Sequence, residues 1–411
     1  MTDRPRYMLA AILVVGILVR LALLLLFDPS TQGGDSDYYL AVASSILDHG
    51  VHGQGGDPGF FRVPLYPAFL AVLGAIFGLA WQPIIVAQCS ITVSAAAIAY
   101  LSLRASGDRY GPWWALLIAA SPFGALMDFR ITAESVTSNL LLILLTFCYV
   151  RRSAVTSKRA VAIGIALGAL ALTRETYLLL PLVLLPTLWL VFRCPIRSLA
   201  IVLAAFLITI TPWVVRNAAL ENGGPFLSKG TLGVNLWIGT WERDGAWTIG
   251  GMPRYAFASK GERREFARHS KPVDDDYFSS LAIERIKAEP AHVAATWIRR
   301  IPAMWIGTRT ELNKSRLARG SLGWAIMKSL FWAANALLLI AAMIGMAITI
   351  FRKREYLLFA APVGYVVAIY LPFHSAETRY SVAAVPFLIL FAIVAARSAL
   401  QVISNYRGRT A

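Results

Sequence analysis

The chain has 411 residues, of which 57% are hydrophobic and only 15% charged, and this composition excludes an ordinary water-soluble surface. It indicates a polytopic membrane protein instead. The net charge is +16, but Lys and Arg stand in short clusters between apolar runs, which favours anionic lipid headgroups as partners and argues against nucleic acid.

The first predicted element is a membrane span. A helix needs about 20 apolar residues to cross the hydrocarbon core, and Met8 to Phe27 meets that length. The run has a basic start but no small-residue cleavage site after it, so we expect an uncleaved helix. The stretch that follows is GGDSDYYLAVASSILDHG, from Gly33 to Gly50. Its apolar spacing predicts a helix lying along the membrane, which the chain enters through a sharp bend at the glycines.

Asp35, Asp37 and Tyr39 stand at the start of this second predicted helix. Acids that follow a span can be solvated loop residues and nothing more. A carboxylate fixed at the boundary between water and lipid is also well placed to act as general base on a hydroxyl or amine acceptor, while the tail of the other substrate stays in lipid. Both interpretations of the two acids are compatible with the sequence.

Ten apolar segments predict membrane spans. They are Met8 to Phe27, Pro83 to Leu103, Pro112 to Met127, Ile131 to Val150, Ala160 to Leu172, Tyr177 to Phe192, Leu199 to Val215, Gly323 to Phe351, Tyr356 to Leu371 and Tyr380 to Leu400. An eleventh segment, Pro64 to Ala80, carries two prolines and two glycines. If it does not cross, the basic clusters of the short loops all lie on one side, as cytoplasmic loops do. We therefore expect ten crossings of the cytoplasmic (inner) membrane, with both termini cytoplasmic.

The same parity predicts which segments lie outside. They are Asp28 to Gln82, Asp128 to Arg130, Arg216 to Leu322 and Pro372 to Tyr380. The expected fold class is all-α and polytopic, with interfacial helices in the first external loop. We expect an N-terminal membrane module at 1–215, with a catalytic external loop at 28–82, a small and mainly helical external region at 216–322, and C-terminal membrane helices at 323–411.

Within the external region, DDDYFSSLAIERIKAEP predicts a helix that stops before Pro290. Asp274 to Asp276 stand at its N-terminal end, where the helix dipole favours negative charge.

Charged and tyrosyl side chains recur in the external segments at span ends. Glu134, in MDFRITAESVTSN, is either a charge at a helix N-terminus or a second carboxylate facing Asp35 that binds a metal or an acceptor group. The others are Arg62, Arg174, Arg216, His374, Arg379 and Tyr380. Each alone is typical of an interfacial side chain. Together they bring cations to one depth, as a lipid-linked phosphate requires.

Several other chemistries lack their sequence signals. Cys89, Cys148 and Cys194 have no CxxC spacing, so we expect neither a disulfide nor a zinc site. The sequence contains no P-loop, no dinucleotide fingerprint, no HExxH and no G-x-S-x-G motif, which argues against nucleotide-sugar or ATP use.

A resemblance extends over nearly the whole chain. Its motifs, in order, are GDSDYYLAVASSILDHG, RVPLYPAFLAVL, TAES, ALTRETYLLLP, TPWVVRN, GVNLWIGT and RYSVAAVPFL. In their order and spacing the chain resembles the GT-C superfamily of membrane glycosyltransferases. Within it the chain is most similar to the bacterial protein O-mannosyltransferase and aminoarabinose lipid A transferase group.

The resemblance implies an inverting transferase with a polyprenyl-phosphate sugar as donor and an active site outside the cytoplasmic membrane. Asp35 occupies the position of the first-loop catalytic acid, and Glu134 matches the second-loop acid. Many relatives have two adjacent acids, whereas here Ser36 precedes Asp37, so either aspartate could be the base. Arg216 and Arg379 stand where relatives contact the donor phosphate. Metal use differs within the superfamily, so no cofactor is assigned and a divalent metal remains open.

The leading hypothesis is glycosyl transfer to an envelope acceptor, which is a lipid, a glycan or a protein. Asp35 would deprotonate the acceptor and Glu134 would orient Asp35 or the acceptor. Arg62, Arg216, Arg379 and Tyr380 would neutralise the leaving phosphate, with Tyr39, Arg174 and His374 completing the substrate site.

A transporter or flippase of a lipid-linked sugar, without catalysis, is the first alternative, and a structural membrane protein is the second. Transport paths usually carry charge near the membrane midplane. Here Arg20 is the main charge inside a span, where it either snorkels or pairs helices.

Overall fold

We describe a computed structural model of the chain that covers residues 4–30, 32–150, 155–221, 223–230, 232–241, 261, 264, 268–269, 274–306, 315–352, 354–373 and 378–410. Within these residues the protein is almost entirely α-helical. The strands found there form one two-residue antiparallel hairpin, β1 (Gly53–Gln54) with β2 (Asp57–Pro58). The predicted all-α polytopic fold class is confirmed.

The helices follow one another with short connections over most of the chain. In chain order they are α1 (Arg4–Leu26), α2 (Asp35–His49), α3 (Leu65–Phe77), α4 (Trp81–Ala105), α5 (Gly111–Ala119), α6 (Pro122–Asp128), α7 (Ala133–Val150), α8 (Ser157–Thr173), α9 (Pro181–Phe192), α10 (Ile196–Ala218), α11 (Leu232–Trp241), α12 (Asp275–Ala288), α13 (Pro290–Arg299), α14 (Ile301–Ile306), α15 (Leu322–Arg352), α16 (Leu357–Tyr370), α17 (Thr378–Ser381) and α18 (Val385–Thr410). Short 3₁₀ turns at Glu175–Tyr177, Arg354–Tyr356 and Val382–Ala384 join some of them.

Seven stretches among the described helices are long and apolar enough to cross a membrane. They are Arg6–Leu26, Trp81–Ala105, Ala133–Val150, Glu175–Phe192, Ile196–Ala218, Leu322–Phe351 and Arg379–Tyr406. The other three predicted spans are helical but short or broken, and they correspond to α5 with α6, to α8 and to α16. Pro64 to Ala80 forms only the 13-residue α3. The number of crossings therefore stays a prediction.

The break between α5 and α6 has a local cause. Ser121 adopts an extended backbone, and its side chain accepts a hydrogen bond from the amide of Gly124. Pro122 follows as the first residue of α6, where its missing N–H leaves no intrahelical bond unmade. Asp128 ends α6, so the break sets where the next external loop begins.

Glycines allow two pairs of helices to pack very closely. A Cβ added at Gly164 of α8 would stand 2.4 Å from the carbonyl oxygen of Val202, and one added at Gly168 would stand 2.5 Å from the Cβ of Thr209. A Cβ at Gly345 of α15 would stand 1.8 Å from the carbonyl oxygen of Phe391. Small residues at such contacts let helix backbones approach in an apolar solvent, where packing drives association. Here they join α8 to α10 and α15 to α18.

Described residues of the four segments predicted to lie outside contact one another at one end of the helix bundle. Helices α2 and α3 pack on each other and on the ends of α1 and α4 through a cluster that includes Phe27, Tyr39, Tyr66 and Leu70. At the opposite end, Asp108 accepts hydrogen bonds from Tyr149 and Tyr356. The membrane side that each end faces stays a prediction, as does the division of the chain into 1–215, 216–322 and 323–411.

The described residues of the region predicted to be external include a small hydrophobic core of their own. Helices α11 and α12 meet through Trp237, Ile238, Phe278 and neighbouring apolar side chains. The predicted acidic helix forms as α12, ends at Ala288 and is followed at once by α13, which begins at Pro290. The Asp274 side chain caps α12 by accepting from the amide of Tyr277 at 3.0 Å.

Candidate active site

Asp35 lies at the start of α2, in contact with two arginines from distant parts of the chain. Gly33 and Gly34 have φ values of 145° and 60°, which only glycine adopts without strain, and they turn the chain into the helix. Oδ1 of Asp35 accepts from Nη2 of Arg62 at 2.7 Å, and Oδ2 accepts from Nη1 of Arg379 at 2.9 Å. The carboxylate is therefore held at both oxygens, yet its side chain remains 32% exposed.

The two guanidiniums control the charge state of Asp35. Partial burial by itself would raise the pKa of this carboxyl, and the nearby Glu134 acts in the same direction. The positive charges of Arg62 and Arg379 outweigh both effects and hold the pKa of Asp35 below its usual value of 3.8. Asp35 is thus a carboxylate, able to accept a proton, over the whole range near neutral pH.

A second ion pair, Glu134 with Arg174, lies beside the first. Glu134 is in the first turn of α7, and its Oε1 lies 2.9 Å from Nη1 of Arg174, which follows the last residue of α8. Arg174 also donates through Nε to the hydroxyl of Tyr370 at 2.8 Å, and Thr176 lies 3.0 Å from the same hydroxyl. With Glu134 only 7% exposed, this pair forms the inner wall of the site.

The two pairs belong to one charged cluster. Nη1 of Arg62 approaches Oε1 of Glu175 at 3.9 Å, and Arg130 lies within electrostatic range of Glu134. Among the described residues the cluster holds the carboxylates of Asp35, Glu134 and Glu175 and the guanidiniums of Arg62, Arg130, Arg174 and Arg379. Four positive charges against three negative ones leave a surplus that an anion can neutralise.

Aromatic rings line the cluster. The Arg62 guanidinium lies 4.4 Å from the ring centroid of Phe61 and 5.5 Å from that of Tyr39, which is buried. The hydroxyl of Tyr380 accepts from Nη2 of Arg379 at 2.8 Å. The rings of Tyr380 and Tyr370 stack at 4.5 Å. These contacts fix the planes of the guanidiniums and so the directions in which they donate.

Most residues singled out in the sequence therefore converge at this place. The structure brings together Asp35, Tyr39, Arg62, Glu134, Arg174, Arg379 and Tyr380. Asp37 is exposed on α2, and the described residues offer its carboxylate no ion-pair partner. His374 lies outside the described residues.

Arg216 contacts backbone and not the acids. Its Nη2 donates to the carbonyl of His52 at 2.8 Å, and its Nη1 donates to the carbonyl of Gly59 and to Oδ1 of Asn217. Its guanidinium also stacks on the ring of Trp213. Arg216 thus clamps both ends of the β1–β2 hairpin, which precedes Arg62 in the chain.

Three residues at this place were not assigned a role from the sequence: Arg130 and Glu175 of the charged cluster, and Tyr370 beside it. Glu175 directly follows Arg174, so its position next to a predicted site residue could have identified it. Tyr370 ends α16, where a tyrosine is also typical of a membrane interface and gives no separate signal. Nε and Nη1 of Arg130 are buried and have no hydrogen-bond partner among the described residues. Since buried donors are normally paired, these atoms mark a place where a ligand could bind.

Among the described residues the cluster does not by itself supply a complete set of ligands for a divalent metal ion. A site built from protein alone needs several oxygen or nitrogen ligands, whereas Mg²⁺ is often held by one or two carboxylates together with substrate phosphates. Within the part of the chain that the structure describes, no three His, Cys, Asp or Glu side chains lie together as metal ligands. A cation would also have to displace the guanidiniums that contact Asp35 and Glu134. The segment predicted to lie outside at 372–380 holds two more side chains of metal-ligating type, His374 and Glu377, and both are outside the described residues.

Comparison with known proteins finds matches in structure and none in sequence. No protein-family model matches the chain, and no curated protein matches it. The archaeal oligosaccharyltransferase AglB from Archaeoglobus fulgidus, in complex with an inhibitory peptide and a dolichol-phosphate, matches with a TM-score of 0.57 and 11% identity over 99% of this chain and 52% of its own. The apo form of that protein matches with a TM-score of 0.56 and 12% identity, over 100% of this chain and 52% of its own.

ArnT from Cupriavidus metallidurans bound to undecaprenyl phosphate matches at 17% identity over 94% of this chain and 77% of its own, with a TM-score of 0.44 that supports no conclusion by itself. Over nearly its whole length the chain therefore has a fold like that of part of the archaeal oligosaccharyltransferase, which agrees with the GT-C resemblance in its sequence. It spans about half the length of the archaeal chains it matches. At these identities the likeness concerns the fold.

Proposed function

We propose that this protein transfers a sugar from a polyprenyl-phosphate donor to a hydroxyl or amine acceptor, at the external face of the cytoplasmic membrane. The acceptor would be an envelope lipid, glycan or protein. One observation carries the proposal: Arg62 and Arg379, separated in sequence from Asp35 by 27 and 344 residues, converge on its partly exposed carboxylate. The fold supports it, because the archaeal oligosaccharyltransferase with a similar fold is in complex with a dolichol-phosphate.

The reaction is a single displacement. The acceptor oxygen or nitrogen attacks the anomeric carbon as the bond from that carbon to the phosphate oxygen breaks, which inverts the anomeric centre. Asp35 takes the proton of the acceptor, and the polyprenyl phosphate leaves with the electron pair. The leaving phosphate gains negative charge, so guanidiniums beside it stabilise the transition state more than the ground state. The surplus positive charge of the cluster supports this role.

Asp35 is a better candidate for the base than Asp37. Its carboxylate lies among the cations that would bind the phosphate. Asp37, two residues later, is exposed on the first turn of α2. In this proposal Glu134 acts through Arg174, holding that guanidinium at the inner wall of the site. Nε and Nη1 of Arg130 are buried and have no hydrogen-bond partner among the described residues, which makes Arg130 the most available of the cations for a phosphate oxygen.

The two ion pairs of Asp35 also predict an order of binding. Each carboxylate oxygen accepts from one guanidinium, and the two positive charges lower the pKa of Asp35, so the carboxylate becomes a stronger base when one guanidinium moves away. A donor phosphate attracts the same guanidiniums. We propose that the donor binds first, draws Arg379 away from Asp35 and so exposes the base to the acceptor.

The direct test is transfer by the purified protein in detergent. Lipids that co-purify, identified by mass spectrometry, name the donor, and the assay then follows its consumption with the wild type, Asp35→Asn and Asp37→Asn. We expect Asp35→Asn to lower the rate by about 10²- to 10⁴-fold, the usual size of a general-base contribution. The matched control Asp37→Asn should stay within a few-fold of wild type. Undiminished transfer by Asp35→Asn would refute the assignment of the base.

Donor consumption also separates an enzyme from a flippase. A flippase moves the intact donor between leaflets and does not split the bond between sugar and phosphate. A wild-type protein that binds the donor and never consumes it, with envelope fractions supplied as acceptor, would contradict the proposed function.

A further inference from the structure

The loop between α6 and α7, residues 128–132, is held from the interior of the helix bundle. This 128–132 loop carries Arg130 and leads within two residues to Glu134. Its backbone is bound by Gln88 of α4, which is fully buried. Nε2 of Gln88 donates to the carbonyl oxygens of Asp128 at 2.8 Å and Arg130 at 2.7 Å. A single carboxamide thus ties both sides of the turn in which Arg130 lies.

The Asp128 side chain anchors the start of the same loop. Nε and Nη2 of Arg20 donate to Oδ2 of Asp128 at 3.0 and 2.7 Å, and Thr92 and Ser135 donate to Oδ1. Nη1 of Arg20 is used as well, since it donates to backbone carbonyls of α1 and α5 at 2.9 Å. Arg20 is 4% exposed, so it pairs helices and does not reach toward water. Every polar group of this buried pair is satisfied within the protein.

Gln88 is connected to the helix that carries Asp35. The hydroxyl of Tyr66 in α3 donates to Oε1 of Gln88 at 2.8 Å. The ring of Tyr66 meets the ring of Tyr39 edge-on, with centroids 4.8 Å apart. Tyr39 lies one turn after Asp35 on α2. A continuous set of contacts therefore runs from the helix of one acid through Gln88 to the loop before the other.

We propose that Gln88, supported by the Arg20–Asp128 pair, is a positioning residue that sets where Arg130 and Glu134 lie relative to Asp35. Buried polar groups in a membrane span are costly unless they are fully hydrogen-bonded, and this set is directed at the loop of the site. The effect on transfer rests on the proposed function. The effect on the loop does not, since it follows from the hydrogen bonds alone.

The test compares Gln88→Met with Ser90→Ala. Met keeps the length of the side chain but donates to neither carbonyl. Ser90 lies on the exposed face of the same helix, and among the described residues its hydroxyl bonds only to the carbonyl of Val86 in its own helix, so Ser90→Ala is a matched control. Two quantities are measured: kcat and KM for the donor per folded molecule, and hydrogen exchange of peptides that cover residues 129–134.

Gln88→Met should lower kcat/KM by on the order of 10²-fold, the size expected when a catalytic group is displaced by about 1 Å. Amides of the 129–134 peptides should exchange faster, and Tyr66→Phe should change both quantities in the same direction by less. Ser90→Ala should change neither. If Gln88→Met loses only folded protein, with wild-type kcat, KM and exchange in the molecules that remain, Gln88 has a structural role and the proposal is overturned.

The two proposals fail in different ways. A wild-type protein without transferase activity would contradict the proposed function, whereas the exchange measurement would still report on Gln88. An active wild type whose 128–132 loop exchanges equally in Gln88→Met would contradict the positioning role alone.

Discussion

Two aspartate–arginine pairs in this protein have the same contact distance and opposite surroundings. Arg20 with Asp128 and Arg62 with Asp35 each place a guanidinium nitrogen 2.7 Å from a carboxylate oxygen. The first pair has side chains 5% and 1% exposed, and the second has side chains 15% and 32% exposed. Distance alone therefore does not distinguish a pair that holds the fold from one that is available to a substrate.

The distinction comes from the remaining hydrogen bonds. The carboxylate of Asp128 also accepts from Thr92 and Ser135, so its oxygens have no capacity left for a ligand. The oxygens of Asp35 each accept from one guanidinium, and part of the side chain faces open space. A carboxylate with unused acceptor capacity at a surface can exchange partners at small cost, whereas one that is saturated and buried cannot.

The largest effect on stability is expected when the buried pair of Arg20 and Asp128 is broken. Asp128→Asn removes one charge and leaves Arg20 buried without a counter-ion, so we expect the free energy of unfolding to fall by about 3–5 kcal/mol. Asp35→Asn breaks two pairs that keep some access to solvent, so we expect a smaller loss, of about 1–2 kcal/mol. Equilibrium unfolding in mixed micelles measures both.

The control for that comparison is the double variant Arg20→Met with Asp128→Asn. Because it removes both charges, it should recover most of the stability lost in Asp128→Asn. A single variant Asp128→Asn that unfolds like the wild type would mean that the pair does not hold the bundle.

A smaller effect concerns pH. Arg379→Gln removes one of the two cations that lower the pKa of Asp35, so that pKa should rise. The acid limb of the profile of kcat/KM against pH, which reports groups of the free enzyme, should move to higher pH. Lys229→Gln, on an exposed pair with Asp276, is the control and should leave the limb in place. A limb that stays in place in Arg379→Gln would mean that Asp35 is not the group observed.

The ion pairs of Asp35 also determine the direction in which stability changes with pH. The folded-state pKa of Asp35 lies below its unfolded value of 3.8, so the pair stabilises the fold above that pH. The contribution is lost as the pH falls from there through the folded-state value. Stability near neutral pH should therefore not depend on the titration of Asp35.

The smallest effect sets the scale for the others. Nζ of Lys229 lies 2.9 Å from Oδ2 of Asp276, close to the 2.7 Å of the two pairs above, but these side chains are 37% and 83% exposed. Lys229→Ala should change the free energy of unfolding by less than about 1 kcal/mol, and added salt should reduce even that difference. A loss comparable to that of Asp128→Asn would contradict the expectation that an exposed ion pair stabilises the protein less than a buried one.

The sequence predicts local structure and the end of the bundle at which the loops meet. Gly33, Gly34 and the apolar spacing after them predict α2 with Asp35 at its start, and α2 begins at that residue. Such signals lie within a few residues of what they determine. Span parity groups the four segments that are predicted to lie outside, and described residues of these segments do contact one another, whereas the membrane side they face stays a prediction.

Partner choice could not be predicted, because it depends on packing between distant segments. Arg216 and Arg379 look alike in sequence, each a cation at the end of an apolar run. Arg379 contacts Asp35, whereas Arg216 binds the hairpin backbone, since the hairpin folds back onto the end of α10. Arg20 and Asp128 are 108 residues apart, and nothing in either local pattern marks the other.

The close packing of α8 on α10 has a mechanical consequence for the site. Both helices run in the same direction: Ser198 near the start of α10 bonds to the carbonyl of Val155 just before α8, and the far ends carry Arg174 and Arg216. Gly164 and Gly168 allow the two helices to pack closely side by side. This packing sets the spacing between Arg174, which pairs with Glu134, and Arg216, which binds the hairpin. The distance between these two arginines at the candidate active site therefore depends on two positions in the bundle where the side chain is a single hydrogen atom.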